Sequence, residues 1–170
     1  MTGLVLPHFA IDADDDYVEK FRGYVYPRIH EFLTEYTPAY GVGTVGERQY
    51  AGKVGEPEEV IEREFVDLGL VRNPIACYKS HPDGRESEGS WVLIAERDEY
   101  DLLPSEEYQL HITLFPRRDD KRGREVYAHQ EIDWRDAPMK HLRGVDFKPK
   151  HGAQDAKTLL HDHSYLTLKP

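Results

Sequence analysis

The stretch Tyr108–Arg118 reads YQLHITLFPRR and sets His111 and Thr113 two residues apart among apolar, strand-favouring neighbours. On a β-strand, residues i and i+2 share a face, so an imidazole and a hydroxyl stand side by side. Tyr108, Leu110, Ile112 and Leu114 take the opposite face. Downstream, Arg124–Trp134 alternates in the same way, with Val126, Ala128, Ile132 and Trp134 on one side and Glu125, Tyr127, His129, Glu131 and Asp133 on the other. Paired as a hairpin in the register that matches apolar to apolar, the two segments set His111 opposite His129, Leu114 opposite Val126, Ile112 opposite Ala128 and Tyr108 opposite Ile132. A slip of one residue would bury the polar set and is excluded, whereas a shift of two keeps the same faces. The pairing predicts a polar patch of His111, Thr113, Tyr127, His129 and Glu131.

Two imidazoles beside a carboxylate and a phenol can be poised for proton transfer near neutral pH. The same His111, His129 and Glu131 are donors of the kinds that hold a divalent metal. The plainer expectation is hydration, because antiparallel sheets commonly leave one face to water, where such residues are ordinary. A second histidine group, His141, His151, His161 and His163, falls in the last thirty residues. In an extended chain His161 and His163 point to one side, which nominates them as metal ligands and a divalent metal as the cofactor to look for.

His111-Ile-Thr-Leu114 resembles one copy of the His-x-Thr motif of the two-histidine phosphoesterases, a family that includes RNA-end ligases and cyclic phosphodiesterases. Those enzymes carry two such motifs on related strands, one histidine acting as base and the other as acid while the threonines bind phosphate. The resemblance covers four residues and carries over to His111 and Thr113 alone. The contexts His8-Phe-Ala, His30-Glu-Phe, His81-Pro-Asp and His163-Ser-Tyr do not repeat it.

The elements that must position these side chains change character along the chain. From Asp14 the apolar residues Tyr17, Val18, Phe21, Tyr24, Val25, Ile29, Phe32 and Leu33 recur at threes and fours, predicting a helix that Pro27 kinks or divides. GEPEEVIEREFVDLGL predicts a second helix with Pro57 at its start, a stripe of Val60, Ile61, Phe65 and Leu68, and Gly69 at its end. Thereafter the period becomes two. Pro74–Lys79 and Ser90–Arg97 read as one hairpin around a polar loop, and Gln109–Phe115 with Arg124–Trp134 as another. PMKHLRG and AQDAKTLL are each long enough for a helical turn or two, and HSYLTL is β-like. The expected architecture is a single α+β domain over residues 1–170, helical over about 14–69, a mostly antiparallel sheet over about 70–135, and an irregular tail over 136–170. The N-terminal helices are expected to cover one face of the sheet, with their tyrosines and Tyr50 in the core.

Gly41-Val-Gly43-Thr-Val-Gly46 spells the dinucleotide-binding glycine pattern. That motif requires a strand before it and a helix after it. The flanks YTPAY and ERQYAGKVGEP supply neither, so the segment reads as a connection.

The chain has 170 residues and a net charge of −10, with Arg outnumbering Lys. The acidity argues against nucleic acid and anionic membranes as partners and fits a protein kept soluble at high salt. Cys77 is the only cysteine, which excludes an intrachain disulfide. The N-terminus does not read as a signal peptide and no run reaches the length of a membrane span. A cytoplasmic protein is expected. The functional expectation is an α+β module for a small ligand or protein partner, self-association included. The alternatives are a phosphoesterase or other hydrolase using His111 and His129 as acid–base pair, and a histidine-rich divalent-metal binder.

Overall fold

The computed structural model describes residues 44–73, 79–94, 108–119, 122–164 and 166–169, with isolated positions between 20 and 35 and at 100 and 102. Strands β1 (Tyr50–Val54), β2 (Val71–Arg72), β3 (Gly89–Ile94), β4 (Tyr108–Pro116) and β5 (Arg124–Ile132) form one five-stranded sheet in the order β1-β5-β4-β3-β2. Every pairing is antiparallel. Helices α1 (Glu58–Asp67), α2 (Pro138–Leu142) and α3 (Pro149–Asp162) accompany it. This is an α+β architecture. No helix among the described residues is long and apolar enough to cross a membrane.

The β4–β5 register is the one that matches apolar to apolar, among those the alternation allows. His111 faces His129, Ile112 faces Ala128, Leu114 faces Val126 and Tyr108 faces Ile132. A one-residue slip would turn the polar face of β4 into the apolar core and is excluded, while the choice among registers two residues apart is settled by the observed pairing.

Leu110, Ile112, Leu114, Val126 and Ala128 meet Ile61, Phe65 and Leu68 of the α1 region and Ala156, Leu159 and Leu160 of α3 in the main core. Helix α1 forms where the threes and fours predict it. Glu58 and Glu59 occupy its first turn, Pro57 is its cap, and Gly69, at φ 82°, turns the chain out of it. Phe65 meets Trp91 of β3 edge to face, with ring centroids 5.3 Å apart. Burying such side chains supplies about 1.5–3 kcal/mol each.

Several expectations are corrected. The tail is not irregular. Helix α3 spans fourteen residues and buries Gly152, Ala153, Ala156, Leu159 and Leu160, a stripe in which small residues come first and let the helix lie close on β5. A Cβ at Gly152 would fall on the main chain of His129 and Gln130. Among the described residues the helical cover of the sheet is therefore α1 with this C-terminal helix. Of the first predicted helix, Tyr24, Val25 and Phe32 are exposed rather than core, and the rest of its stripe lies outside the described residues. Within the span expected to be helical, Tyr50–Val54 is the edge strand β1, bulged between Tyr50 and Gly52. Gly52 has φ 149°, and a side chain there would meet the carbonyl of Lys169.

The first hairpin also differs. Strand β3 pairs with Val71–Arg72 on its outer side. Lys79 and Ser80 pair instead with Ser87 and Glu86, inside the expected loop, around a turn closed by His81 and Arg85. Residues 74–78 and 95–97 lie outside the described residues. So do Gly41 and Gly43 of the glycine pattern. Its remainder runs through Thr44, bridged to Ser80, into a short 3-10 turn at Glu47–Gln49 and then β1. No helix follows the glycines, as the flanks imply.

Candidate functional site

The polar face of β4–β5 is not hydrated. His111 is 1% and His129 2% exposed, and Gln109, Thr113, Tyr127 and Glu131 are buried beside them. The expectation of a wet face is overturned. Side chains from outside the sheet lie over this face. They are Gln49 from the 3-10 turn, Lys79 and His81 from the turn before β3, His141 from α2 and Phe147 from the loop before α3.

Cross-strand pairing brings the two imidazoles together at 5.1 Å between ring centroids. Glu131, two residues from His129 on the same face, reaches both. Its Oε1 lies 2.9 Å from His111 Nε2 and 3.3 Å from His129 Nε2. The ligand atoms of His111, His129 and Glu131 all lie within 4.8 Å of one another, the one such group among the described residues. Gln109 Nε2 sits 2.8 Å from His111 Nε2 and 3.3 Å from His141 Nδ1. His141 Nδ1 is also 2.8 Å from the Ile132 carbonyl and 3.6 Å from Glu131 Oε2. Gln49 Nε2 is 3.3 Å from His129 Nδ1. The Phe147 ring packs on His129 at 4.6 Å between centroids.

Burial sets the electrostatics. It lowers the pKa of His129 to about 3, helped by the Lys79 cation, whose Nζ is 3.3 Å from both ring nitrogens. It lowers His111 as well, against the pull of Glu131. Burial alone would raise Glu131, but the two histidines outweigh it and hold the carboxyl well below the usual carboxylate range. Lys79 is pushed down to about 8 by its own burial. The cluster therefore pairs neutral imidazoles with an ionised carboxylate.

Three buried polar atoms on this side of the sheet have no hydrogen-bond partner among the described residues: His111 Nδ1, Gln109 Oε1 and Ser90 Oγ. Buried polar atoms are rarely left so, and each calls for an explanation. A cavity of about 440 Å³ opens nearby, lined by Thr44, Gly46, Glu47, Arg48, Gln49, Phe147 and Pro149. Gln49 and Phe147 are its two residues that also touch His129.

The predicted site residues thus divide. His111, His129 and Glu131 converge. Thr113 lies one pair further along, between Ser90 and Tyr127, and no hydrogen bond joins it to the histidines among the described residues. Tyr127 turns its hydroxyl to His81 Nε2 at 2.8 Å, and His81 Nδ1 in turn lies 2.8 Å from Asp83. Burial first, and then Glu125, raise the Tyr127 phenol to about 12. His161 and His163 do not form the extended pair expected of them. His161 is in the last turn of α3, exposed and bonded to Asp162 at 2.6 Å, while His163 stacks on Tyr100 at 4.2 Å between centroids. On a helical turn, residues two apart do not face each other.

Gln49, Lys79, Gln109, His141 and Phe147 also belong to the site, although the sequence reading nominates none of them for it and groups His141 with the C-terminal histidines instead. Gln109 alone carries a local signal, since it shares the alternation of His111. The others arrive from loops and a short helix whose approach no periodicity encodes.

Fold and site together define an α+β protein with a buried two-histidine, one-carboxylate group on the inner strands of an antiparallel sheet. Compared with known proteins, the chain matches no family model, and no curated protein or solved structure matches it.

Proposed function

We propose that the protein is a metalloprotein in which His111, His129 and Glu131 bind a divalent transition ion and present its remaining coordination positions to a small ligand. The observation that carries this reading is the convergence of three ligand atoms from two adjacent strands on one buried point. Donors around a tetrahedral zinc ion with bonds of about 2.0 Å lie about 3.3 Å apart, and Glu131 Oε1 stands 2.9 and 3.3 Å from the two imidazole nitrogens. Neutral histidines and an ionised carboxylate are the protonation state that metal binding requires. Two histidines and one carboxylate suit zinc or ferrous iron and leave positions open for water or substrate. The cavity beside the site shares Gln49 and Phe147 with it, the two residues that also touch His129.

The phosphodiester reading draws on His111 and Thr113. In that reading a phosphate sits between two separate histidine motifs, whereas here one carboxylate ties both imidazoles together. The metal reading accounts for that carboxylate.

The test is metal content of the untagged protein by elemental analysis, followed by titration of the metal-free protein with Zn2+ and Co2+. Stoichiometric binding is expected, with visible cobalt bands of nitrogen–oxygen ligation. Replacing either histidine in His111→Ala or His129→Ala should weaken binding at least a hundredfold. The double variant His161→Ala/His163→Ala should bind as wild type. Binding that follows His161 and His163 instead, or that ignores His111 and His129, sinks the reading.

A further inference from the structure

The net charge of −10 conceals a local reversal. Trp134–His151 carries Arg135, Lys140, Arg143, Lys148 and Lys150 against Asp136 and Asp146, a net of +3, so the remainder of the chain carries −13. The segment is a compact turn, helix and turn. Ala137 bonds back to Asp133 as β5 ends, α2 follows, and Gly144 and Val145 bond back to His141 and Lys140. It also holds four of the eight exposed large hydrophobic residues among those described: Trp134, Met139, Val145 and Phe147. Met139 is 57% exposed. Arg135 is committed to Asp133, and Lys148 to Asp146 and the Tyr108 ring. No ion pair among the described residues engages Lys140, Arg143 or Lys150, and all three are exposed.

We propose that this segment docks the protein on an anionic membrane surface. Lys140, Arg143 and Lys150 meet the lipid headgroups, while Trp134, Met139 and Val145 enter the boundary with the acyl chains. Cations beside protruding aromatic and aliphatic side chains are what an interfacial segment needs. A bilayer accepts such projections without a shaped counterpart, whereas a stable protein interface draws on about 20–30 residues a side. Nucleic acid would use the cations and rings but has no use for Met139 and Val145. The acidic remainder does not forbid docking, because charges more than about 10 Å away are largely screened at 0.1 M salt. The segment thus reverses the expectation drawn from whole-chain charge. The positions substituted in its test, Trp134, Met139, Lys140 and Arg143, are not among the residues of the metal reading.

The test is flotation of the full chain with vesicles of phosphatidylcholine alone and of phosphatidylcholine mixed with phosphatidylserine. Binding is expected to the mixed vesicles and to fall with salt. Lys140→Glu/Arg143→Glu should cut it at least tenfold, since each cation near such a surface is worth roughly fivefold. Trp134→Ser/Met139→Ser should also cut it, with no change of charge. A second measurement needs no variant. Trp91 is buried and Trp134 is the one other tryptophan, so quenching by spin-labelled lipids reports whether Trp134 enters the bilayer. Failure to float with the mixed vesicles, absence of quenching, or preference for an oligonucleotide over lipid would each overturn the proposal.

Discussion

On one face of the β4–β5 pair, Leu110, Ile112, Leu114, Val126 and Ala128 lie against α1 and α3. On the other, Gln109, His111, Thr113, His129 and Glu131 are as thoroughly withdrawn from water. Apolar burial is a source of stability, at about 25 cal/mol per Å². Polar burial works against it, and a group left without a partner costs about 1–3 kcal/mol. Three such atoms remain on the polar side among the described residues. The difference teaches that burial measures two opposite things within one sheet. The apolar face holds the fold together, and the polar face is maintained in spite of its cost.

The largest expected effect separates the two. Leu114→Ala removes a fully buried side chain from the apolar face and should lower stability by about 2–5 kcal/mol, read from the denaturant midpoint. Metal uptake by the protein that remains folded should be unchanged. Loss of uptake would mean that the faces are not separable. Gly152→Ala should cost less, about 1–3 kcal/mol, because it forces α3 off β5 rather than emptying the core. It should nevertheless weaken cobalt binding, since the displaced main chain is that of His129. Unaltered cobalt affinity would refute this link between the helix and the imidazole.

The third expected effect is a slope with pH. In the metal-free protein the pKa of His129 is about 3 and that of His111 is also lowered, whereas both return to about 6.5 on unfolding. Between those values the unfolded chain binds more protons than the folded one. The folded state therefore keeps its full margin above about pH 6.5 and loses it as pH falls toward 3. Unfolding free energies measured across that range should decline in the wild type and less steeply in His129→Leu. Parallel curves would show that the polar face does not set the acid sensitivity.

Much of the sheet was legible because period-two alternation is a local property. It fixed the faces of β4 and β5 and the parity of their pairing, and so placed His111 and His129 on one face, with the exact register settled only by the structure. The periodicity of α1 and its terminal Gly69 were equally local. What alternation cannot express is whether a second layer covers the polar side. Lys79, Gln49 and Phe147 reach His129 across long separations in the chain, and their neighbours give no hint of it. Strand β1 was hidden by Gly52, which argues against regular structure in sequence yet serves as a bulge. Helix α3 was underestimated because Gly152, Ala153 and Ala156 look like a weak apolar stripe when their value lies in being small. The His161–His163 pair failed for the same reason, since its extended geometry assumed that no helix reached so far.

The main chain of Lys53 exchanges two hydrogen bonds of 2.7 Å with that of Lys169, so the last residues run as a clip along the outer side of β1. Without the clip, β1 would offer a bare row of donors and acceptors to any extended peptide, the usual starting point for intermolecular stacking. Handling of the polypeptide follows from this. A fusion partner attached behind Lys169 would tug on the clip, and removal of residues 166–169 would release it and leave that edge open to pairing between chains.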